Sequence, residues 1–151
     1  MSIHDRLNSL GLTLPHAAAP VASYQPVVVD GHTAFVSGQL PFVDGELVTG
    51  KLGEGVTLEQ GQQAARACGL MILAQLEAAG LIERVAHFVK LGGFVACTPD
   101  FYDQPKVING ASDLMYEVFG DPGKHARSAV GVPALPLNAA VEVDAIVALK
   151  A

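Results

Sequence analysis

Residues 139–149 constrain this chain more than any other stretch. They are apolar throughout except for Glu142 and Asp144. Successive side chains of an extended strand point to opposite faces. Val141, Val143, Ala145 and Val147 therefore share one side, and Glu142, Asp144 and Ile146 the other. A strand with one wholly apolar side belongs in a sheet packed on helices. Its mixed side, with two carboxylates, is expected to face another subunit.

The rest of the chain supplies that sheet and those helices. Residues 86–96 are apolar on both sides, as in a central strand. Residues 128–132 form a further strand. Thr57, with Gln60 three residues on, is a capping-box start, and Gly80 is a stop. Between them Ala64, Ala67, Cys68, Met71 and Leu76 fall close to one helical face. A second helix is expected over residues 105–119, ended by Gly120. Residues 25–29 and 33–37 flank Asp30-Gly31, a hairpin signal. Asp44-Gly45 marks a turn before a short strand at 46–48. Ser2 caps a short helix over residues 3–10, ended by Gly11, and the Pro-punctuated residues 15–22 read as a connection. The order β-β-β-α-β-α-β-β predicts one α+β domain over residues 24–151, a mixed sheet with two main helices on one face. Residues 1–23 precede it as an extension. Two helices cover only one face, so the other needs shelter.

Composition points the same way. Of 151 residues half are apolar and only 16% are charged, few for a monomer's surface, so part of the apolar surface is expected to be covered by another subunit. A net charge of -6, with no run of Lys or Arg, argues against a nucleic-acid partner. Residues 1–7 lack a signal-peptide layout, and the apolar run 68–74 is too short to span a bilayer. Cys68 and Cys97 form no CxxC and read as two reduced thiols. The expectation is a cytoplasmic protein without membrane association.

Two residues invite a chemical reading. Arg127 opens the strand before the one that carries Glu142. Its planar guanidinium suits a carboxylate, and a buried Glu suits proton handling. The plainer alternatives are an ion pair of Arg127 with Glu142 or Asp144, and a solvated Glu142. Asp144 reads as a structural ion-pair partner. Ser37-Gly38 follows an apolar strand with no GxSxG elbow around it. Tyr24 reads equally as amphipathic packing, and Asn109 as a helix-turn residue. Histidines 4, 16, 32, 87 and 125 show no metal-ligand spacing; only His125, two residues before Arg127, merits attention. No glycine-rich phosphate loop is present, so no cofactor is implied.

Arg127-Ser128, Leu135-Pro136 and the run from Val141 to Ile146 together resemble the C-terminal signature of the Rid/YjgF family of enamine/imine deaminases. Val36-Ser37-Gly38-Gln39-Leu40-Pro41 is similar to that family's N-terminal segment. Tyr24 matches its aromatic position, and Asn109 before Tyr116 and Phe119 its helix pattern. The resemblance implies a chorismate-mutase-like fold, assembled as a homotrimer with sites in the clefts between subunits. It implies that Arg127 binds the substrate carboxylate and that Glu142 positions the hydrolytic water together with the Ala129 carbonyl. Ser37, Gly38 and Asn109 would line the pocket, which Tyr24 would close from a neighbouring subunit. The substrate would be a small carboxylate-bearing metabolite of the 2-aminoacrylate type.

Departures mark a divergent subgroup. Ala129 stands where the best-studied members have Cys, and Gly131 where a larger polar residue is common. Gly110-Ala111-Ser112 is atypical, and the segment before Tyr24 is longer than usual. The leading expectation is a deaminase yielding 2-oxo acids and ammonia. A non-catalytic trimeric binder of carboxylates or keto acids comes second. A ribonuclease comes last, for want of a basic groove.

Overall fold

In a computed structural model that describes residues 1–20 and 22–151, the chain is built around one five-stranded sheet. Its elements run α1 (Ile3–Ser9), β1 (Val27–Asp30), β2 (Thr33–Gln39), β3 (Phe42–Val43), β4 (Glu46–Leu47), β5 (Lys51–Leu52), β6 (Gly55–Val56), α2 (Leu58–Ala78), β7 (Val85–Ala96), α3 (Gln104–Phe119), β8 (Ala126–Val132) and β9 (Val141–Leu149). The sheet order is β1-β2-β9-β7-β8, antiparallel except where β7 pairs β8. It is the expected mixed sheet, with α2 and α3 on one face. Val21, within the expected connection, lies outside the described residues.

Local chemistry accounts for the boundaries. Thr57 and Gln60 form a reciprocal capping box at α2, and Ser2 with Asp5 does the same for α1. The first hairpin turns on Gly31-His32, with Asp30 paired to Thr33 and Gly31 at φ 62. That is one residue later than the Asp30-Gly31 signal. The expected strand at 46–48 exists but lies outside the main sheet, as β4 in a two-residue hairpin with β3. Residues 50–56, expected as no element, form the short β5–β6 pair; Gly50, Gly53 and Gly55 all take positive φ there, a path that hides any strand periodicity.

The helical face of the sheet holds the core. Val141, Val143, Ala145 and Val147 of β9 are buried there, with Leu91 and Val95 of β7. Each of the Val and Leu side chains contributes about 1.5–3 kcal/mol by leaving water, and Ala145 less. Close helix packing depends on Gly110. A Cβ there would strike the Gln62 carbonyl oxygen of α2 and lie 2.9 Å from its carbon. The other face of the sheet is left open within one chain. Val28 and Phe35 are 50% and 44% exposed, Val130 45%, and they share this face with Phe94 and Ile146.

Candidate functional site

Arg127 sits on the edge strand β8, in register with the buried Leu91, so its side chain leaves the sheet on the helical side. There α3 receives it. Its Nη1 donates to Asn109 Oδ1 at 2.8 Å and to Ser112 Oγ at 3.1 Å. These residues are one helical turn apart, which puts both on the same face of α3. Among the described residues neither Nη2 nor Nε of Arg127 has a partner. One nitrogen anchors the guanidinium, and its remaining edge has the shape for two-point contact with a carboxylate. Ala129, two residues along the strand, shares this side and packs partly against the core.

His125, singled out in the sequence for its nearness to Arg127, joins that neighbourhood through Ser112, which the sequence reading did not identify as a site residue. His125 Nε2 lies 2.8 Å from Ser112 Oγ, and its Nδ1 lies 2.7 Å from the Gly123 carbonyl oxygen. The turn Asp121–Gly123 can approach α3 because residue 123 is glycine. A Cβ there would sit 2.5 Å from the Met115 carbonyl carbon. Ser112, Asp113, Tyr116, Lys124, His125 and Arg127 line a shallow cleft of about 440 Å³. Lys124 is held over the Tyr116 ring, 5.3 Å from its centroid, and 3.3 Å from Asp121.

Glu142 lies elsewhere. It pairs with Phe94 in the register of β9 and β7, on the open face. Gly38 is directly beneath it: a Cβ at 38 would lie 2.5 Å from Glu142 Oε2. The close approach is made by a bulge, because between Val36 and Gln39 β2 carries one residue more than β9 does between Ala145 and Val143. The bulge is tied down. Ser37 Oγ donates to the Gln25 carbonyl at 2.7 Å, and Gln39 Nε2 donates to the Ser37 carbonyl at 2.9 Å. Gln75 of α2 donates to Gln39 Oε1 and, at 2.7 Å, to the Ala18 carbonyl. Burial, and then the Asp144 charge, raise the pKa of Glu142 above the usual carboxylate range.

Within one chain Arg127 and Glu142 do not meet. They leave the sheet on opposite faces, with β7 between their strands. The ion pair considered from sequence, Arg127 with Glu142 or Asp144, is absent among the described residues for the same reason. Asp144 finds a backbone partner instead of a structural ion pair. Its Oδ1 accepts from the Gly92 N–H at 3.1 Å, reached because Gly92 has no side chain in the way. The predicted residues thus form two groups: Arg127, Asn109 and Ala129 beside α3, and Ser37, Gly38 and Glu142 at the bulge. Tyr24, 50% exposed just before β1, joins neither.

A cavity of about 730 Å³, larger than the Arg127 cleft, is not at either group. It lies between residues 13–18, the β3–β4 hairpin and α2, and its walls are mainly apolar. Its one Arg, Arg66, is engaged by Glu117 at 3.1 Å. Size is a poorer guide here than chemistry, and the smaller cleft carries the under-committed cation. Among the described residues no three His, Cys, Asp or Glu side chains gather as metal ligands, and no helix is long and apolar enough to cross a membrane.

Comparison with known proteins adds the lineage. Residues 4–149 match the family described as "YjgF/chorismate mutase-like, putative endoribonuclease". The chain is 52% identical to protein TCP17 of Trypanosoma cruzi over 95% of its own length and 92% of that protein's. It is 32% identical to the 2-iminobutanoate/2-iminopropanoate deaminase of Dermatophagoides farinae, covering 92% and 95%. A crystal structure of an Agrobacterium tumefaciens protein with unknown function superposes with a TM-score of 0.89 at 46% identity, covering 99% of this chain and 93% of that one. Sheet order, helix placement and these matches agree: the chain belongs to the YjgF/chorismate mutase-like family.

Proposed function

We propose that this chain is an enamine/imine deaminase that works as a homotrimer. The observation that carries the reading is the half-used guanidinium. Asn109 and Ser112 hold Arg127 through one nitrogen, leaving an edge suited to the carboxylate of a 2-imino acid. The uncovered face with Val28, Phe35 and Val130 supports assembly, and so does the scarcity of charge. Assembly also answers the separation of the two groups. A cleft between subunits can bring Arg127 of one copy to Glu142 of a neighbour. Tyr24, exposed and uncommitted, then closes the pocket from an adjoining copy.

In that cleft Arg127 fixes the substrate and Glu142, with the Ala129 carbonyl, aims a water at the imine carbon. Ammonia leaves and a 2-oxo acid remains. The reaction proceeds slowly without a catalyst, so positioning and proton transfer are sufficient help. The relative named as a 2-iminobutanoate/2-iminopropanoate deaminase supports this substrate class.

The test generates 2-aminoacrylate and larger imino acids in situ with semicarbazide as trap. Protein should divert imine from the semicarbazone, and Arg127→Ala should lose that effect while keeping its oligomeric state. Undiminished activity in the variant would refute the reading. The free edge of Arg127 serves a second reading equally well, a trimeric carboxylate or keto-acid binder without turnover. Glu142→Gln separates the two: a binder keeps its affinity and has no turnover to lose. A ribonuclease role is disfavoured by the charge of -6 and by a cleft whose two cations, Arg127 and Lys124, share its lining with Asp113.

A further inference from the structure

Gln39 and Gln75 are the two buried polar side chains among the described residues, 6% and 4% exposed, and they are bonded to each other. Burying an amide costs stability unless its hydrogen bonds are made, so a pair kept in the core calls for a reason. The bulge of β2 supplies one. Val36 pairs with the buried Ala145 and faces the helices. In a regular strand Gly38 would follow on that side, and Gln39 would turn to the open face. The extra residue reverses this. Gln39, not Gly38, pairs with the buried Val143 and enters the helical layer, where Gln75 of α2 meets it.

The direction of these contacts is fixed. Gln75 Nε2 lies 2.7 Å from the Ala18 carbonyl oxygen and 3.2 Å from Gln39 Oε1, so both of its protons are donated. Gln39 Nε2 donates to the Ser37 carbonyl at 2.9 Å. Neither amide can turn over without setting like atoms against each other. The bonds therefore run from the segment before β1, through α2, to the residue next to Gly38. Gly38, lacking a side chain, gives the Glu142 carboxylate its seat. Burial and the Asp144 charge act on that carboxylate, and no hydrogen bond does among the described residues. Its position depends on the backbone beneath it.

We propose that Gln39 and Gln75 are positioning residues of the reaction, a register lock that keeps the bulge which sets Gly38 beneath Glu142. The role rests on the deaminase reading, in which Glu142 aims the water. Neither amide touches substrate. Without the bulge Gly38 would turn to the core, Gln39 would leave the helical layer, and Glu142 would lose its seat.

The alternative is that the pair merely stabilises the fold. Met matches Gln in length and carries no amide, so the variants are Gln39→Met, Gln75→Met and the double variant. All are first checked for oligomeric state and Tm, then assayed by steady-state kinetics on 2-iminobutanoate. Each single variant leaves an amide short of a partner in the core and should melt lower; the double variant removes both amides and should recover most of that loss. A register lock predicts that activity does not recover with stability. In all three kcat should fall by about 10-fold or more, with KM within about threefold, because Arg127 and its partners on α3 are untouched. A folded double variant with kcat within a few-fold of wild type overturns the lock, and so does a raised KM with kcat unchanged. If the double variant does not fold, Gln75→Met, assayed below its Tm, decides by the same kcat reading. A wild type that accelerates no imine hydrolysis overturns the deaminase reading and this role with it.

Discussion

Gly38→Ala is the sharpest test of the geometry beneath Glu142. Gly38 is not at positive φ, so alanine fits the backbone. The added Cβ would lie 2.5 Å from Glu142 Oε2 and 2.8 Å from its Cδ. Non-bonded carbon contacts settle near 3.5 Å, so the carboxylate must withdraw by roughly 1 Å. Misplacement on that scale costs about 10²-fold in rate for a positioning group. Stability should barely move. The colliding atoms are the free end of a side chain, and Gly→Ala in a compatible conformation gains about 0.4–1 kcal/mol through the unfolded chain. For a chain of this size the expected change in Tm is within about 4 °C. Gly110→Ala is the matched control. Its Cβ meets the backbone of Gln62, which cannot step aside without parting α2 from α3. A cost of about 3 kcal/mol, or about 6–12 °C, is expected. Imine-trapping kinetics and differential scanning calorimetry on the two variants give both numbers. Gly38→Ala with undiminished turnover would remove Glu142 from the reaction. Gly38→Ala as unstable as Gly110→Ala would show that the bulge is too rigid for Glu142 to yield.

Other consequences follow from the same contacts. Phe35→Asp places a charge on the open face beside Ile146; it should yield monomers by light scattering and no turnover, and an active monomer would contradict a shared cleft. Glu142→Gln should lose turnover yet melt higher than wild type at neutral pH. Burial, then Asp144, raise the folded pKa of Glu142, so its charged form destabilises the fold. Wild-type stability is therefore undiminished below the unfolded pKa and falls as pH rises through the folded one, so the Tm gap should open across that window and vanish in acid. His4 lies between Glu77, at 2.7 Å, and Glu83. Its hydrogen bonds to Glu77, then Glu83, raise its pKa. The wild-type advantage over His4→Ala, read by hydrogen exchange in α1, should be full below about 6.5 and lost as pH rises through the higher folded value.

How much of this was legible in the sequence depended on range. The Ser2 cap, the Thr57 capping box, glycine stops and the alternation of β9 are set by chemistry within a few residues, so both main helices and the faces of β9 could be read directly. Where glycine path replaces periodicity, at residues 50–56, nothing marked the short pair. Arg127 and Glu142 were singled out by residue type and strand position, their roles and that of Gly38 came from a family resemblance, and no local pattern fixes what they touch.

Ser112 and His125 show the boundary best. They are thirteen residues apart and belong to no motif. They meet because a glycine turn lets the chain fold back tightly after α3, carrying Gly123 against Met115 and His125 against Ser112. Likewise, β9 alone places Glu142 opposite the helical core, but only the sheet order puts β7 between it and Arg127. By itself the sequence determined the main helices and strands, the faces of β9 and the family, since these follow from spacing and residue type. Tertiary structure alone decided which side chains share a cleft, because non-local strand order and backbone approaches near 3 Å are properties of packing.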